Sequence, residues 1–282
     1  MSSSAALCQQ SILCKGPPTQ VVIAYTIAIM SMYAMYHMVA DREFSAVLTM
    51  SVMFQCLAFM LLAVQLLSGS AAGISAQSLK LEALALCFRM SSTVWLEGYL
   101  PMDKTGDWLY QTVDFFSLVI VLWLLHCLLV AQKTTYQMDE DTLPIAPIVL
   151  GCLVLAILLH ADMNDRPLFD TIWLASLFLG VAAAMPQLWL ITRTSGCAAA
   201  LTSHYIAMMA VSRLLSGLFM WNAREDITCE QWVTGYNHAP WVIIGAHVLH
   251  LFLLGDFAYY YAKALTKVGP LLPMEMNTFV VV

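Results

Sequence analysis

Charged residues are the scarcest class in this sequence. Only 11% of the 282 residues are Asp, Glu, Lys or Arg, against about 25% in an ordinary soluble domain, whereas 61% are apolar. That composition excludes a soluble globular protein. The 12 Lys and Arg residues are scattered and the net charge is -6, which excludes nucleic-acid binding, because a phosphate backbone requires clustered basic residues.

The spacings typical of metal, disulfide and catalytic sites are also missing. Cys56, Cys87, Cys127 and Cys152 lie inside apolar runs, and no CxxC pair occurs. The sequence contains no GxSxG, phosphate-binding loop, HExxH or paired-carboxylate arrangement. We therefore predict no metal, no cofactor and no enzyme activity.

Long apolar runs are what the sequence has in abundance. Because a bilayer core about 30 Å thick needs about 20 apolar residues per helix, we predict eight spans and an all-α polytopic membrane protein. The third span is the least apolar, since it carries Lys80, Glu82 and Arg89. The predicted spans are Gln20–Ala40, Phe44–Leu67, Ser75–Leu96, Leu109–Ala131, Leu143–Ala161, Asp170–Thr192, Thr202–Asn222 and Ala239–Ala262.

The connections between spans predict the orientation. Eight spans place both termini on the same side of the membrane, and six Lys and Arg residues against four favour cytosolic termini. The first run is not predicted to be a cleaved signal peptide, because its leader has only Lys15 as a charge and its apolar stretch is longer than an h-region. The residues Asp41-Arg42-Glu43 predict a tight hairpin between the first two helices.

Four charged residues fall at bilayer depth, where a charge usually faces a cavity or a partner. They are Arg89, Asp114, Arg213 and Asp256. Two hypotheses remain open: either they form two structural salt bridges, or the arginines line a polar cavity and grip an anionic ligand with their planar forks. Asp170, at the start of its helix, is either a helix N-terminal acid or an acceptor for a cationic group.

Other polar residues inside the spans give weaker signals. Pro186-Gln187 predicts a kink in the sixth span, because proline breaks the backbone ladder. His126, His247 and His250 are expected to be satisfied core histidines, since no other metal ligand is suitably spaced. Residues 73–78 and 200–205 open the third and seventh helices in a similar way, which suggests a parallel internal repeat with a polar site between the halves.

Several short segments together carry a family resemblance over about residues 44–269. The segments are Ala72-Gly73-Ile74-Ser75 with Ser78 and Arg89, Thr135-Tyr136, Asp141-Thr142, Trp173, Pro186-Gln187-Leu188, Thr202-Ser203-His204-Tyr205, Arg213 and Asp256-Phe257-Ala258-Tyr259-Tyr260-Tyr261. With these segments in this order, the chain resembles the ER lumen protein-retaining receptor family, which recognises C-terminal Lys-Asp-Glu-Leu or His-Asp-Glu-Leu signals. The extra leading span is most like the divergent, N-terminally extended members.

The resemblance implies a domain organisation. The family is similar to sugar transporters of the Pro-Gln-loop class, which have seven helices in two three-helix bundles. The expectation is therefore an extension with an extra helix at 1–43, a seven-helix receptor-like body at 44–269 and a cytosolic tail at 270–282.

The resemblance also implies a function and a site. The implied function is capture of lumenal cargo in the acidic Golgi and its release in the neutral ER, with pH sensed by a histidine or a shifted carboxyl group. Arg89 and Arg213 match cavity arginines of the family, Asp170 falls on a glutamate that accepts the ligand's cation, and Arg224 is within one residue of a third binding arginine. Asp256 falls on an aspartate needed for the return journey.

The chain departs from the family at other positions. The arginine and histidine of the family's first helix fall on Val47 and Phe54, and the acid of the Pro186 helix falls on Gly180. Ser92 stands where the family has an aspartate, and Ser212 and Ser216 stand where it has tyrosines; Ser92 and Ser216 are kept as predicted ligand contacts, and Pro186 and Gln187 as conformational residues. The lysine-rich tail that meets the vesicle coat is reduced to Lys263 and Lys267.

Three functions are therefore weighed. The first is a retrieval-signal receptor of the ER and Golgi membranes, with signal peptides, lipid and vesicle coat proteins as partners. The second is a small-solute transporter or orphan carrier on the same fold, which the lost ligand residues and the Pro-Gln kink would favour. The third is a trafficking or structural membrane protein without a small ligand.

Overall fold

The architecture is taken from a computed structural model of the chain. It describes residues 19–96, 99, 107–162, 166–194, 197–198, 200–227, 236–268 and 274–275, and the side chains of residues 20, 197–198, 200, 256–268 and 274–275 are not among the described parts.

Eight α-helices make up the described part of the chain, and each coincides in order with one of the eight predicted spans. Helices α1 and α4 each continue into a π-helical turn, at Met35–Val39 and Cys127–Ala131, and α7 continues into a 3-10 turn at Ala223–Glu225. The helices are α1 (Thr19–Ala34), α2 (Ala46–Leu67), α3 (Ala76–Thr93), α4 (Asp107–His126), α5 (Ile145–Leu159), α6 (Pro167–Arg193), α7 (Ala200–Asn222) and α8 (Ala239–Val268).

Length and composition fit a polytopic membrane protein. Five helical stretches of the described chain are long and apolar enough to cross a bilayer, and two shorter apolar ones, Ile145–Leu159 and Ala239–Gly255, accompany them. Large apolar side chains point outward from these helices, as at Met30, Leu150 and Phe252, where lipid would surround them. Helix α3, the least apolar of the eight, is covered instead by α4 and α6.

The helices after α1 form two bundles of three. In the first bundle α4 packs against both α2 and α3, and in the second α8 packs against both α6 and α7. The bundles meet through two matching pairs, α2 with α7 and α3 with α6. The same packing scheme thus occurs twice, as the internal repeat predicted, while α5 lies against α6 outside the two bundles.

Helix α1 lies on the outside of the bundle. Its inner side packs on α2 through Val21, Ala28 and Met32, and the Tyr25 hydroxyl lies 2.9 Å from Nδ1 of His204 on α7. The tight hairpin to α2 forms as predicted.

A small pair of strands supplements the helices. The strands β1 (Cys197–Ala198) and β2 (Met274–Glu275) pair antiparallel, with Cys197 opposite Glu275. This pair joins the α6–α7 connection to the end of the chain, which the helical periodicity alone did not predict.

Candidate functional site

A polar cavity of about 40 Å³ lies between the two bundles. It occupies the half of the molecule nearer the end that the Lys and Arg count predicts to be lumenal, which is called the lumenal end below, and the opposite end is called the cytosolic end. Residues of α2, α3, α4, α6, α7 and α8 and Tyr99 all contribute to its wall. The polar and aromatic lining residues are Gln55, Glu82, Arg89, Tyr99, Tyr110, Trp173, Ser176, Arg213, Ser216 and His247.

Arg89 is clamped by a carboxylate inside the first bundle. Its Nε and Nη2 donate to the two carboxylate oxygens of Asp114 on α4, at 2.6 and 2.5 Å. The Asp114 side chain is fully buried, and the Arg89 guanidinium also lies over the Tyr110 ring, 5.9 Å from its centre. This bidentate pair neutralises both charges and fixes α3 against α4.

Arg213 has a looser partner. Its Nη2 lies 3.8 Å from Oε2 of Glu82 on α3, which is an ion-pair distance too long for a hydrogen bond. Gln55 connects the two arginines, because it accepts from Arg89 Nη2 at 3.0 Å and donates to Glu82 Oε2 at 3.4 Å. The chain of groups Asp114, Arg89, Gln55, Glu82 and Arg213 therefore runs from one bundle to the other.

The geometry agrees with one part of each of the two hypotheses for the buried charges. Arg89 and Asp114 form the salt bridge that the first hypothesis required. Arg213 pairs with Glu82, which is not one of the four charges of that hypothesis, and the side chain of Asp256 lies outside the described residues. Both arginines nevertheless line one cavity, as the second hypothesis required.

Asp170 lies beside the cavity at the lumenal end of α6. Its side chain is 2% exposed, and it accepts a hydrogen bond from the hydroxyl of Tyr99. The Tyr99 ring in turn stacks on Trp173, with ring centres 5.6 Å apart, and both rings line the cavity. Asp170 therefore acts on the cavity wall through Tyr99 and is not itself a lining residue.

The remaining predicted ligand contacts lie at different places. Ser216 lines the cavity one turn beyond Arg213. Ser92 is buried away from the lining, and its hydroxyl donates to the Phe169 carbonyl at 3.3 Å. Arg224 lies beyond the end of α7, where it pairs with Glu225 at 2.9 Å and stacks over Trp221.

Pro186 and Gln187 lie near the cytosolic end of the bundle and do not line the arginine cavity. The Gln187 side chain donates to the Gly73 carbonyl at 2.7 Å and accepts from the Ser75 backbone N–H at 3.0 Å. Near the proline, the Ser78 hydroxyl donates to the Ala183 carbonyl at 2.6 Å, so a side chain of α3 takes up a carbonyl close to the interrupted backbone ladder of α6.

A second set of hydrogen bonds holds the start of α3. Ser75 caps the helix by accepting from the Ser78 N–H at 3.1 Å, and its hydroxyl donates to Asp141 at 2.7 Å. The Tyr136 hydroxyl also donates to Asp141, at 2.6 Å. Burial, and then the neighbouring Asp141 carboxylate, raises the pKa of Tyr136 above its ordinary value, so this hydroxyl keeps its proton.

The turn before α3 completes this end. Gly73 has a φ of +77°, which favours glycine, and its N–H donates to the Gln137 side chain at 2.9 Å. Gln65 on α2 donates to the Ala72 carbonyl at 3.0 Å and accepts from the Thr202 hydroxyl of α7 at 2.9 Å. We call this set of contacts the cytosolic clasp: Gln65, Gly73, Ser75, Ser78, Tyr136, Gln137, Asp141, Gln187 and Thr202.

Three residues of the cavity were missed from the sequence. Glu82 was counted only as a charge that lowers the hydropathy of its helix, and Gln55 was not singled out. His247 was expected to be a satisfied core histidine, but its Nδ1 is buried without a hydrogen-bond partner among the described residues. The sequence did contain a signal, because each of the three is a polar residue inside an apolar run. That signal does not show which of them share a cavity, since this depends on which helices pack together. Across the described residues no group of three or more His, Cys, Asp and Glu side chains could hold a metal ion.

Known proteins resemble this chain in sequence. The family described as ER lumen protein retaining receptor matches residues 70–224, from the turn before α3 to the 3-10 turn after α7. An ER lumen protein-retaining receptor of Dictyostelium discoideum is 31% identical over 176 residues, which is 61% of this chain and 76% of that protein. A Caenorhabditis elegans receptor of the same description is 28% identical over 210 residues, or 73% and 88% of the two chains, and one of Petunia hybrida is 28% identical over 204 residues, or 69% and 82%.

The family match contains most of the clasp and both cavity arginines, and its relatives align with most of this chain. These relatives and the long apolar helices together indicate a multi-pass membrane protein of the secretory pathway. On the combined extent of the match and of the aligned relatives, the chain belongs to the ER lumen protein-retaining receptor family.

Proposed function

We propose that this protein is a receptor for C-terminal retrieval signals of the Lys-Asp-Glu-Leu or His-Asp-Glu-Leu kind. It binds lumenal cargo in the mildly acidic Golgi and returns it to the neutral ER. The observation that carries the proposal is the cavity between the bundles, which holds two buried arginines in a chain of this family.

The chemistry of the cavity suits such a ligand. A retrieval signal brings a terminal carboxylate and two side-chain carboxylates. The planar fork of Arg213 is shaped to receive one of them, and Arg89 offers its Nη1 group, which takes no part in the pair with Asp114. Its cationic or imidazole side chain needs an acceptor, and Asp170 at the lumenal end of α6 supplies a buried carboxylate for it. Ser216 adds a hydroxyl beside Arg213, and Arg224, outside the cavity, offers a first contact to an approaching acid.

Binding requires the lumenal end to open. The cavity of about 40 Å³ has room for about three waters, since one water needs about 10–15 Å³ of such space, and a tetrapeptide is far larger. Tyr99 must therefore leave Asp170 and Trp173 when the peptide enters. The same movement frees the Asp170 carboxylate for the cation of the ligand.

The rest of the chain serves the cycle of transport. Residues 44–269 form the receptor body, and residues 1–43 add the extra helix α1, which packs on α2 away from the cavity. Asp256 acts in the return step, and the tail 270–282 with Lys263 and Lys267 faces the vesicle coat. The proposed locations are the ER and Golgi membranes.

The test is peptide binding to the purified protein in lipid nanodiscs. Labelled Lys-Asp-Glu-Leu and His-Asp-Glu-Leu peptides are measured at about pH 5.5 and about pH 7.4, which bracket the ordinary pKa of histidine. We expect binding that is tighter at the lower pH and that is lost when the peptide is C-terminally amidated.

Matched variants assign the binding to the cavity. Arg213→Gln should abolish binding while the protein still enters the membrane. Arg193→Gln removes the same charge at the far end of α6, where Arg193 lies over the Trp189 ring, and should leave binding unchanged. Absence of peptide binding at both pH values would overturn the proposal. Substrate uptake into vesicles would then support the small-solute transporter, which neither the family match nor the described structure favours.

A further inference from the structure

Two residues that line the cavity each have a buried nitrogen atom without a hydrogen-bond partner among the described residues. These atoms are Nε of Arg213 and Nδ1 of His247. Arg213 is 6% exposed and His247 is 3% exposed, and both line the cavity. Because an unsatisfied buried donor or acceptor costs about 1–3 kcal/mol, two of them at one place indicate a position for a ligand group.

Helices α7 and α8 hold these two side chains side by side. Gly217 lies one turn after Arg213 on α7, and a Cβ atom built on it would come within 3.2 Å of Cβ of His247. Glycine thus lets α8 approach the face of α7 that carries Arg213. The closeness is a property of the backbone packing and does not depend on one side-chain rotamer.

Arg213 is also the less neutralised of the two cavity arginines. Arg89 has a bidentate carboxylate, whereas Arg213 has one carboxylate at 3.8 Å. On the α6 side its guanidinium lies against Gly180, where a Cβ atom would be 3.4 Å from Nη2, so α6 brings no acid to it. Nε of the guanidinium donates no hydrogen bond among the described residues.

We propose that Arg213 and His247 together form a subsite for one carboxylate of the ligand, and that His247 takes up a proton when this carboxylate binds. The inference rests on the proposed function and deepens it. A histidine beside an arginine cation resists protonation, but a carboxylate placed between them favours the imidazolium. The anion and the proton therefore bind together, and the affinity falls as the pH rises through the titration of the bound histidine.

The other titratable groups around the cavity define the competition for the proton. Glu82 is the main competitor, since it is a buried carboxylate 3.8 Å from Nη2 of Arg213. Helix α6 contributes no titratable side chain to the lining, and His250 on α8 lines a second, mostly apolar cavity together with Glu82 and Tyr205. The other titratable or charged residues that line the cavity with His247 are Glu82 and Arg89 of α3, Tyr99 between α3 and α4, Tyr110 of α4 and Arg213 of α7. Asp114 of α4 lies behind Arg89, to which it is hydrogen-bonded.

The test measures peptide affinity against pH in three variants. His247→Asn keeps a polar amide near the position of Nδ1 but does not titrate, and it should lower the affinity about tenfold at about pH 5.5 and flatten the pH dependence. His250→Asn is the matched control one turn along the same helix, and Glu82→Gln removes the competing carboxylate. Both should keep the pH dependence.

Two further measurements identify the proton and the carboxylate. Calorimetry in buffers of different ionisation enthalpy should give about one proton taken up per peptide for the wild type and none for His247→Asn. A Lys-Asn-Gln-Leu peptide lacks both side-chain carboxylates and keeps the terminal one. If its binding still responds to His247→Asn, the subsite holds the terminal carboxylate, and if its binding no longer responds, the subsite holds a side-chain carboxylate.

The outcomes separate the two proposals. A pH dependence that persists in His247→Asn, or that disappears in Glu82→Gln, overturns the subsite and leaves the receptor function standing. If the wild type binds no peptide, or if His247→Asn does not fold, the subsite is tested in another way. The pH titration of the histidine rings of the wild type is then followed by NMR with and without acetate. Acetate should shift the His247 ring toward its protonated form, and an unchanged titration would reject the subsite.

Discussion

The two ends of this molecule are built in different ways. At the cytosolic clasp, backbone groups and neutral side chains meet at 2.6–3.2 Å, and Asp141 alone carries a charge, which two hydroxyl donors and a backbone N–H satisfy. At the lumenal cavity, the charged side chains of Glu82, Arg89 and Arg213 belong to one network, and two nitrogens lack partners among the described residues. The clasp holds most of the segments that carry the family resemblance, whereas two of the departures from the family, Gly180 and Ser216, line the cavity.

This contrast separates architecture from ligand chemistry. A network of neutral hydrogen bonds in which every group has a partner specifies one arrangement of the helices. Any other arrangement would leave buried polar groups without a partner and without water, at a cost in free energy. An ionic network with unsatisfied groups can instead respond to a ligand. The family fold can therefore persist at one end while the binding residues change at the other.

The largest expected effect comes from breaking the ion pair of the cavity. Asp114→Asn leaves Arg89 buried without its counter-charge, and we expect the free energy of unfolding to fall by about 3–5 kcal/mol. Thermal unfolding in detergent measures the loss. The double variant Asp114→Asn with Arg89→Gln removes both charges and should recover most of the stability. No recovery would mean that the pair is not the reason for the loss.

The second effect concerns the clasp. Gln187→Ala leaves the Gly73 carbonyl and the Ser75 N–H without their partner, and we expect a loss of about 1–3 kcal/mol in the free energy of unfolding. Peptide affinity should change less than about twofold, because the cavity is elsewhere. Ser216→Ala is the matched variant at the cavity. It should lower peptide affinity and leave the free energy of unfolding nearly unchanged. A large drop in peptide affinity from Gln187→Ala would show that the two ends are coupled.

The third effect concerns the position of the acid that faces Arg213. Glu82→Gln removes the competing carboxylate, and we expect peptide affinity to rise about tenfold, since Arg213 is then free for the ligand. Adding Gly180→Glu places a carboxylate on α6, where the family acid is expected, next to the Arg213 guanidinium. Competition peptide-binding curves should show the double variant returning toward the wild-type affinity. An unchanged affinity in both variants would mean that Arg213 does not bind the ligand.

The smallest effect tests one backbone position of the clasp. Gly73→Ala forces a side chain into the left-handed region at φ +77°, and we expect a loss of about 1–2 kcal/mol. Its added Cβ atom meets only the Thr202 hydroxyl at 3.9 Å, so strain and not collision is the cause. Gly245→Ala, inside α8 with open space around it, should be neutral or stabilising in the same unfolding measurement.

The sequence predicted the helices well because each needs only its own residues. A run of about 20 apolar residues indicates a span wherever the rest of the chain goes. The pairing of α2 with α7 and of α3 with α6 depends instead on residues far apart in the chain. The bond from Ser75 to Gln187, for example, joins positions 112 residues apart.

The site was predicted in part for the same reason. Arg89 and Arg213 stand out as charges in apolar runs, and their shared cavity follows from the internal repeat. The partner of Arg213 did not follow, because Glu82 was counted only as a charge that lowers the hydropathy of its helix. The packing of α3 against the second bundle brings it to Arg213. Gly180 and Gly217 matter through the side chain that they lack, which no residue pattern reveals.

The clamp between Arg89 and Asp114 has a consequence for how the chain is inserted during synthesis. Helix α3 is not among the stretches apolar enough to cross a bilayer by composition, and a lone arginine at membrane depth costs about 2.5–3.5 kcal/mol at the translocon. Asp114 arrives only after the ribosome has made the first two turns of α4. Helix α3 is thus expected to wait at the translocon and to enter the lipid together with α4 as one neutral hairpin.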